Sequence, residues 1–253
     1  MTTWILLRGL TREAGHWGDF GERLAARLAP EDEVVPLELP GNGLLNKQPS
    51  PDSVDGMVAA CRAELRWRRM QPPYVLVAMS LGAMVGLHWA HEAPDELAGC
   101  ALINTSVRGI SPFWQRLQPH NYPRLLALLL PGLSAARREA MILAMTSSQP
   151  HGHAEVPAQW ARLRRQHPVG ARNALRQLLA AARYAPPRQA PAVPLLVLAS
   201  EGDRLVSAQC SRSLAARWNL PLRVHPGAGH DLPLDDPQWV LQQLAQWRSA
   251  TGG

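Results

Sequence analysis

Residues 74–89 read YVLVAMSLGAMVGLHW, and a serine at position 80 divides this stretch into two patterns. Val75 to Met79 form an unbroken apolar run, which is typical of a strand buried on both faces. After Ser80, apolar residues recur at helical spacing through Trp89. The stretch therefore predicts a buried strand that turns sharply into a helix, with one hydroxyl group at the corner.

The corner has small residues two positions before and two positions after the serine, Ala78 and Gly82. A tight strand-to-helix turn requires small residues there, because a larger side chain would collide with the neighbouring backbone. This pattern favours a nucleophile elbow. The alternative is a buried strand followed by a serine that only caps the next helix.

Strands alternate with helices along the rest of the chain, which predicts an α/β fold with a mostly parallel sheet of about six strands flanked by helices. The predicted strands are Thr3–Leu7, Glu33–Leu39, Val75–Met79, Gly99–Asn104, Val193–Ala199 and Leu222–His225. Predicted helices include His16–Ala29 and one that Ser53 caps and that ends near Trp67. In such sheets the functional residues lie in loops at the carboxyl ends of the strands.

A nucleophilic serine requires a base that takes its proton and a carboxylate that orients this base. The loops after the last two strands supply both, as Asp203 in EGDRLV and His230 in PGAGHD, each beside a glycine. His225 falls within a strand, and the strand ending at Asn104 is followed by no carboxylate. Asp203 and His230 are therefore the preferred partners of Ser80.

Four segments together resemble the α/β-hydrolase superfamily over nearly the whole chain, and the likeness is to its serine esterases. They are AMSLG at 78–82, LPGNG at 39–43, EGDRLV at 201–206 and PGAGHDLPLDDP at 226–237. The resemblance implies that Ser80 is the nucleophile, that His230 is the general base and then acid, and that Asp203 orients His230.

The resemblance also implies an oxyanion hole formed by the backbone N–H groups of Leu10 and Leu81. The usual His-Gly before the first donor is Arg8-Gly9 here. Since the donor is a backbone group, we expect the hole to persist. Arg8 has either a structural role, which we favour, or contacts an anionic substrate.

Residues 107–190 interrupt the core, which comprises residues 1–106 and 191–253, where the superfamily commonly has a helical lid. This segment has twelve arginines against two glutamates, a net charge of +10, whereas the remainder has −4. The charge indicates an anionic partner or substrate, or only a genome that favours arginine. In length and lid placement the chain is similar to the carrier-protein methyl ester esterases of biotin synthesis, so an acidic carrier protein is a candidate partner at the lid.

Apolar helical faces at Leu125–Leu133 and Ala140–Met145 are expected to cover the catalytic pocket. We predict a lining of Leu10, Met79, Phe113 and Trp114, with Arg8 as a further candidate contact to substrate. Such a pocket would suit a medium-length acyl or aromatic ester.

Other classes of function fit less well. The single lysine, Lys47, follows Asn46 and forms no phosphate-binding loop, and His151 and His153 have no nearby third ligand. Neither a metal nor an organic cofactor is expected, and no nucleic-acid motif accompanies the arginines. Without a leader or a long apolar segment, and with three widely spaced cysteines, a cytoplasmic protein without stable membrane insertion is expected.

The sequence thus predicts a serine hydrolase of carboxylic esters that acts through an acyl-enzyme intermediate. A thioesterase or carrier-protein methyl esterase, a hydrolase of carbon–carbon bonds and a non-catalytic small-molecule receptor remain alternatives on the same fold.

Overall fold

The computed structural model describes residues 2–128 and 132–252. Its core is one six-stranded sheet in which every strand pair is parallel. In chain order the strands are β1 (Thr3–Leu7), β2 (Glu33–Leu37), β3 (Tyr74–Met79), β4 (Leu97–Ile103), β5 (Leu195–Ser200) and β6 (Leu222–His225). The prediction of an α/β fold with a mostly parallel sheet of about six strands flanked by helices is confirmed.

The strand order is β2-β1-β3-β4-β5-β6, so the chain reverses its direction across the sheet between β1 and β3. Leu7 at the end of β1 pairs with Ala78 near the end of β3. The loops that follow these two strands therefore emerge side by side, which is where ligands bind in open parallel sheets.

Eleven α-helices are present among the described residues. They are α1 (Phe20–Ala25), α2 (Val54–Trp67), α3 (Leu81–Glu92), α4 (Phe113–Arg116), α5 (Tyr122–Ala127), α6 (Ala135–Thr146), α7 (Val156–Gln166), α8 (Ala171–Arg183), α9 (Ala208–Trp218), α10 (Leu232–Asp235) and α11 (Pro237–Ala250). Helices α4 to α8 lie between β4 and β5, and we term residues 104–194 the inserted segment. None of the helices that the structure describes is long and apolar enough to cross a membrane.

Alternate side chains of each strand enter two apolar clusters, one on each face of the sheet. Ile5 and Leu7 face the cluster that includes residues of α2, α3 and α9, whereas Trp4 and Leu6 face the cluster that includes residues of α1 and α11. Burial on both faces explains why the strand sequences are almost continuously apolar.

Two helix predictions had different outcomes. Ser53 caps α2 as expected, because its hydroxyl oxygen accepts a hydrogen bond from the Gly56 N–H at 3.1 Å. The single helix predicted over His16–Ala29 is wrong: a short 3₁₀ helix over Ala14–Trp17 is followed by α1. Gly18 separates them with φ of 57°, a left-handed conformation that an α-helix does not continue through.

The inserted segment is helical where apolar helical faces are predicted: α5 overlaps the start of Leu125–Leu133, and α6 includes Ala140–Met145. Residues 129–131 of the predicted apolar face Leu125–Leu133 lie outside the described residues.

Candidate active site

Ser80 lies in a strained turn between β3 and α3. Its φ of 56° and ψ of −117° are unusual for a residue with a side chain. The Ser80 N–H donates to the Ile103 carbonyl at 2.9 Å, and the Thr105 hydroxyl donates to the Ser80 carbonyl at 3.0 Å. These two hydrogen bonds, to the end of β4 and to the residues that follow it, thus maintain the strained conformation of Ser80.

Two glycines allow the loop after β1 to approach this turn. A Cβ atom on Gly82 would lie 2.5 Å from the Leu7 carbonyl oxygen, and one on Gly9 would lie 3.0 Å from the Ser80 Cβ. The small residue two positions after Ser80 is therefore required by contact with β1. The same packing brings the Arg8-Gly9-Leu10 segment against Ser80.

Asp203 and His230 meet across the ends of β5 and β6. His230 Nδ1 lies 2.7 Å from Asp203 Oδ2, and both side chains are buried. The other carboxylate oxygen of Asp203 accepts the N–H groups of Leu205 and Val206, at 2.8 and 2.9 Å. These bonds fix the carboxylate so that one oxygen remains directed at the imidazole.

Asn104, at the end of β4, organises the loop that carries His230. Its side-chain amide donates to the His230 carbonyl at 2.8 Å and to the Ser200 hydroxyl, and its oxygen accepts the Ser200 N–H at 2.9 Å. From the sequence, Asn104 is predicted only as the end of a strand that no carboxylate follows. Its position at a strand end, next to the predicted site, is the signal that could have identified it.

Ser80 and His230 line the same cavity of about 140 Å³. No hydrogen bond joins their side chains among the described residues, and such bonds are often long until substrate is bound. The structure thus brings together the three residues predicted as a triad, and their catalytic roles remain predictions.

The backbone N–H groups of Leu10 and Leu81 have no hydrogen-bond acceptor within the described part of the chain. Both residues line a second cavity of about 310 Å³ that also includes Ser80. Leu81 is the first residue of α3, where N–H groups lack partners within the helix. Two unpaired donors beside a serine hydroxyl are what an oxyanion hole requires.

The two cavities share three residues, Leu10, Ser80 and Leu205, so they meet at the serine. Helices α5 and α6 close the smaller cavity with Leu125, Leu128, Ile142 and Met145. The larger cavity lies beneath α4 and α8, with Phe113 and Leu178 at its exposed margin.

Of the residues predicted to line the pocket, Leu10 lines both cavities, and the other four fall into three groups. Arg8 and Met79 line the smaller cavity, and Phe113 lines the larger one. Trp114 lies outside both linings and contacts Phe113 edge to face. Arg8 donates two hydrogen bonds to Asp231, in line with the favoured structural role, and its role towards substrate remains a prediction.

A model of the alpha/beta hydrolase family matches residues 4–243. The chain belongs to the alpha/beta hydrolase family. Within it, this hydrolase is 29% identical over 252 residues to a Klebsiella pneumoniae protein named "Putative carbamate hydrolase RutD", with 92% of this chain and 85% of the relative covered. It is 25% identical over 241 residues to the pimeloyl-[acyl-carrier protein] methyl ester esterase of Chromobacterium violaceum, with 95% and 81% covered.

Solved structures give the same fold. A thermophilic esterase from Thermogutta terrifontis superimposes with a TM-score of 0.75 at 20% sequence identity, over 99% of this hydrolase and 90% of that chain. The distant similarity predicted to carrier-protein methyl ester esterases is confirmed by the Chromobacterium relative.

One group of side chains among the described residues could hold a metal ion, and it lies outside both cavities. Ligand atoms of Asp55, His88 and Glu92 lie within 4.8 Å of one another on the protein surface. Arg62 forms an ion pair with Glu92 at 3.0 Å, so a guanidinium group already neutralises one of the two carboxylates. His151 and His153, the pair considered from the sequence, are separate from it, and His153 Nε2 lies 3.4 Å from Asp235 Oδ1.

His225, the other histidine near the site, is held within its own loop. Its Nδ1 accepts the N–H groups of Gly227 and Ala228, and its Nε2 lies 3.2 Å from Asp236. Asp236 also accepts the Trp239 N–H at 2.9 Å and so caps α11. These contacts leave His230 as the histidine that faces the cavity beside Ser80.

Proposed function

We propose that this hydrolase cleaves carboxylic esters through an acyl-enzyme intermediate on Ser80. The observation that carries the proposal is the convergence of a strained serine, a carboxylate-bound histidine and two unpaired backbone donors on shared cavities. This combination of nucleophile, base, orienting acid and oxyanion donors performs acyl transfer on many folds.

In the first half of the reaction, Ser80 Oγ attacks the ester carbonyl carbon while His230 Nε2 takes the hydroxyl proton. The Leu10 and Leu81 N–H groups donate to the resulting oxyanion. When the tetrahedral intermediate collapses, His230 returns the proton to the departing alcohol oxygen. Asp203 accepts from His230 Nδ1–H throughout and stabilises the imidazolium ion.

In the second half, His230 takes a proton from a water molecule, which attacks the acyl carbon bonded to Ser80 Oγ. The second tetrahedral intermediate expels Ser80 Oγ, which regains its proton from His230. The products are the carboxylic acid and the regenerated serine.

The two cavities suit the two arms of an ester, because they meet at Ser80 and extend in different directions. Apolar side chains dominate both linings, and Phe113 and Leu178 are 68% and 46% exposed at the entrance of the larger one. A substrate with an apolar acyl or alcohol part would bury these side chains. Residues 107–190 of the inserted segment would then act as the lid.

An ester carried on an acidic protein is the second candidate. It is supported by the name of the Chromobacterium relative and by the +10 charge of residues 107–190. Arg162 and Arg165 are exposed on α7, whereas Arg164 is bonded to Glu139. Replacing Arg162 and Arg165 with Ser should therefore weaken cleavage of a carrier-bound ester while leaving small neutral esters unaffected.

The test of the proposal is hydrolysis of p-nitrophenyl esters from acetate to palmitate by the wild type and by Ser80→Ala, with Ser53→Ala as a control serine remote from both cavities. We expect a maximum at one chain length that disappears only in Ser80→Ala, together with the loss of fluorophosphonate labelling. Labelling that persists in Ser80→Ala would refute the nucleophile assignment.

If the folded wild type cleaves none of these esters, a thioester, a carbamate or a carbon–carbon bond next to a ketone would be the next substrate to test. Tight ligand binding without turnover would favour a small-molecule receptor. Saturable turnover that depends on Ser80 would support an enzyme over a receptor.

A further inference from the structure

The loop after β1 continues past Leu10 into three residues that the inserted segment holds. The Thr11 N–H donates to Gln177 Oε1 on α8 at 2.8 Å. The next residue, Arg12, donates to Glu139 Oε2 on α6 at 2.7 Å. Two helices of the inserted segment thus bind consecutive residues of the loop that carries the predicted oxyanion donor.

The third residue of the loop makes the same kind of contact. Glu13 Oε2 lies 2.8 Å from Nδ1 of His167, which follows α7. Arg12 also lies over the ring of Trp160 on α7, 4.3 Å from its centroid. All three of the longer inserted helices are therefore connected to this short loop.

The loop needs such support because its backbone is strained. Thr11 has φ of 56°, and a β-branched residue adopts this left-handed conformation at a cost of roughly 1–3 kcal/mol. Strained residues of this kind persist only where their surroundings fix them. The Gln177 oxygen accepts the Thr11 N–H, and the Arg12 N–H donates to the Gly9 carbonyl across the turn.

The supporting side chains are fully buried and mutually bonded. Gln177 donates to Asn42 Oδ1 at 2.8 Å, and Asn42 donates to the Arg12 carbonyl at 2.9 Å, which closes a ring around the loop. Burial would raise the pKa of Glu139, but the charges of Arg12 and Arg164 hold that pKa below its usual value. Glu139 is therefore an anion at neutral pH, bonded to both guanidinium groups.

We propose that Gln177 and Glu139 are positioning residues that hold the loop after β1 so that the Leu10 N–H faces the oxyanion of the transition state. The inserted segment then completes the catalytic site in addition to covering it. This inference rests on the proposed function, because it assigns work to the predicted oxyanion donor.

The experiment compares Gln177→Leu and Glu139→Gln with Asn173→Ala, a matched control on α8. Asn173 also bonds α8 to the core, through Ser50, Asn46 and Gln48, and within the described part of the chain it forms no hydrogen bond with the loop after β1. For each protein we would measure kcat and KM on the best ester, the Ki of an alkyl boronic acid that forms a tetrahedral adduct on Ser80, and thermal unfolding.

We expect kcat to fall at least about tenfold in both Gln177→Leu and Glu139→Gln. Removing an oxyanion donor outright typically lowers kcat roughly 100- to 1,000-fold, and these substitutions would only displace one. The boronate Ki should rise by a similar factor, while KM changes by less than about twofold, since the lost interaction exists only in the transition state. The Asn173→Ala control should leave kcat, KM and the boronate Ki unchanged.

The inference would be overturned if either Gln177→Leu or Glu139→Gln folds and keeps the wild-type kcat and Ki. An equal loss of kcat in Asn173→Ala would overturn it as well. Glu139→Gln decides the matter if Gln177→Leu does not fold. A wild type without Ser80-dependent hydrolysis would instead refute the proposed function, so the two failures are distinguishable.

Discussion

Arg8 and Asp231 form a buried ion pair with two hydrogen bonds, of 3.0 and 2.5 Å, between side chains that are 4% and 3% exposed. Arg8 lies two residues before Leu10, and Asp231 directly follows His230. The pair therefore joins the loop of the predicted oxyanion donor to the loop of the predicted base. The Arg8 guanidinium also lies over the ring of Trp17, 4.9 Å from its centroid.

Replacing Arg8 with Met should lower the free energy of unfolding by about 3–5 kcal/mol, because it leaves the Asp231 carboxylate buried without a partner. Arg23→Met is the matched control, since the Arg23–Asp19 pair is exposed and should contribute less than about 1 kcal/mol. Urea unfolding measures both. Equal losses in the two variants would contradict the prediction, and Arg8→Met combined with Asp231→Leu should recover much of the loss.

Replacing Asp203 with Asn should reduce kcat roughly 1,000- to 10,000-fold with little change in thermal stability. The amide oxygen can still accept the Leu205 and Val206 N–H groups, but its NH₂ group would face His230 Nδ1 and favour the wrong tautomer. Glu201→Gln, on the same loop and exposed, should leave kcat unchanged. A normal rate in Asp203→Asn would assign the orienting role to another residue.

Replacing Gly82 with Ala should destabilise the fold by about 1–3 kcal/mol and reduce ester hydrolysis. Its Cβ would lie 2.5 Å from the Leu7 carbonyl oxygen and 2.6 Å from that of Arg8, so backbone atoms would have to move. Gly227→Ala is the control, because no atom lies within 4 Å of its Cβ position. Unfolding curves and kcat/KM measure the effect, and two equally stable, equally active variants would show that the turn tolerates the methyl group.

Glu38 should make stability depend on pH. Burial raises its pKa from 4.5 to about 7 in the folded protein, so the unfolded chain loses this proton at lower pH. Its contribution to stability is therefore present below pH 4.5 and is lost as pH rises to about 7. At about 1.4 kcal/mol per pKa unit, the total is of the order of 3 kcal/mol.

Glu38→Gln tests this, because the amide oxygen can still accept the Ala14 N–H that Glu38 accepts at 3.0 Å. Relative to wild type, the variant should gain stability between pH 4.5 and pH 8, measured by urea unfolding at both values. The comparison removes the effect of groups that titrate in both proteins. A difference that stays constant with pH would mean that folding does not raise the pKa of Glu38.

The sequence was sufficient to predict those features whose residues lie within a few positions of one another. The turn at Ser80 and the loops at Asp203 and His230 combine an apolar strand, small residues and one reactive side chain within a few positions. The helix predicted across Gly18 was wrong because apolar spacing does not show whether a glycine adopts a positive φ.

Contacts between distant residues could not be predicted in this way. Arg8 and Asp231 are 223 positions apart, and Thr11 and Gln177 are 166 apart. Gln177 has no local pattern that distinguishes it from a surface amide, and the LPGNG segment at 39–43 does not show that the Asn42 side chain is buried. Their significance depends on burial and on the partner that the fold provides.

The bonds from Gln177 and Glu139 to the loop after β1 also couple the binding of an oxyanion at Ser80 to the contacts between this loop and the inserted segment. If these contacts favour the loop conformation that binds an oxyanion, then an oxyanion must favour the contacts by the same free energy, because thermodynamic coupling between two sites is reciprocal. A boronate on Ser80 should therefore slow amide hydrogen exchange in α6 and α8, although it would touch neither Glu139 nor Gln177. Binding at Ser80 would therefore stabilise α6 and α8, two helices of the inserted segment, without direct contact with the two residues that bond them to the loop.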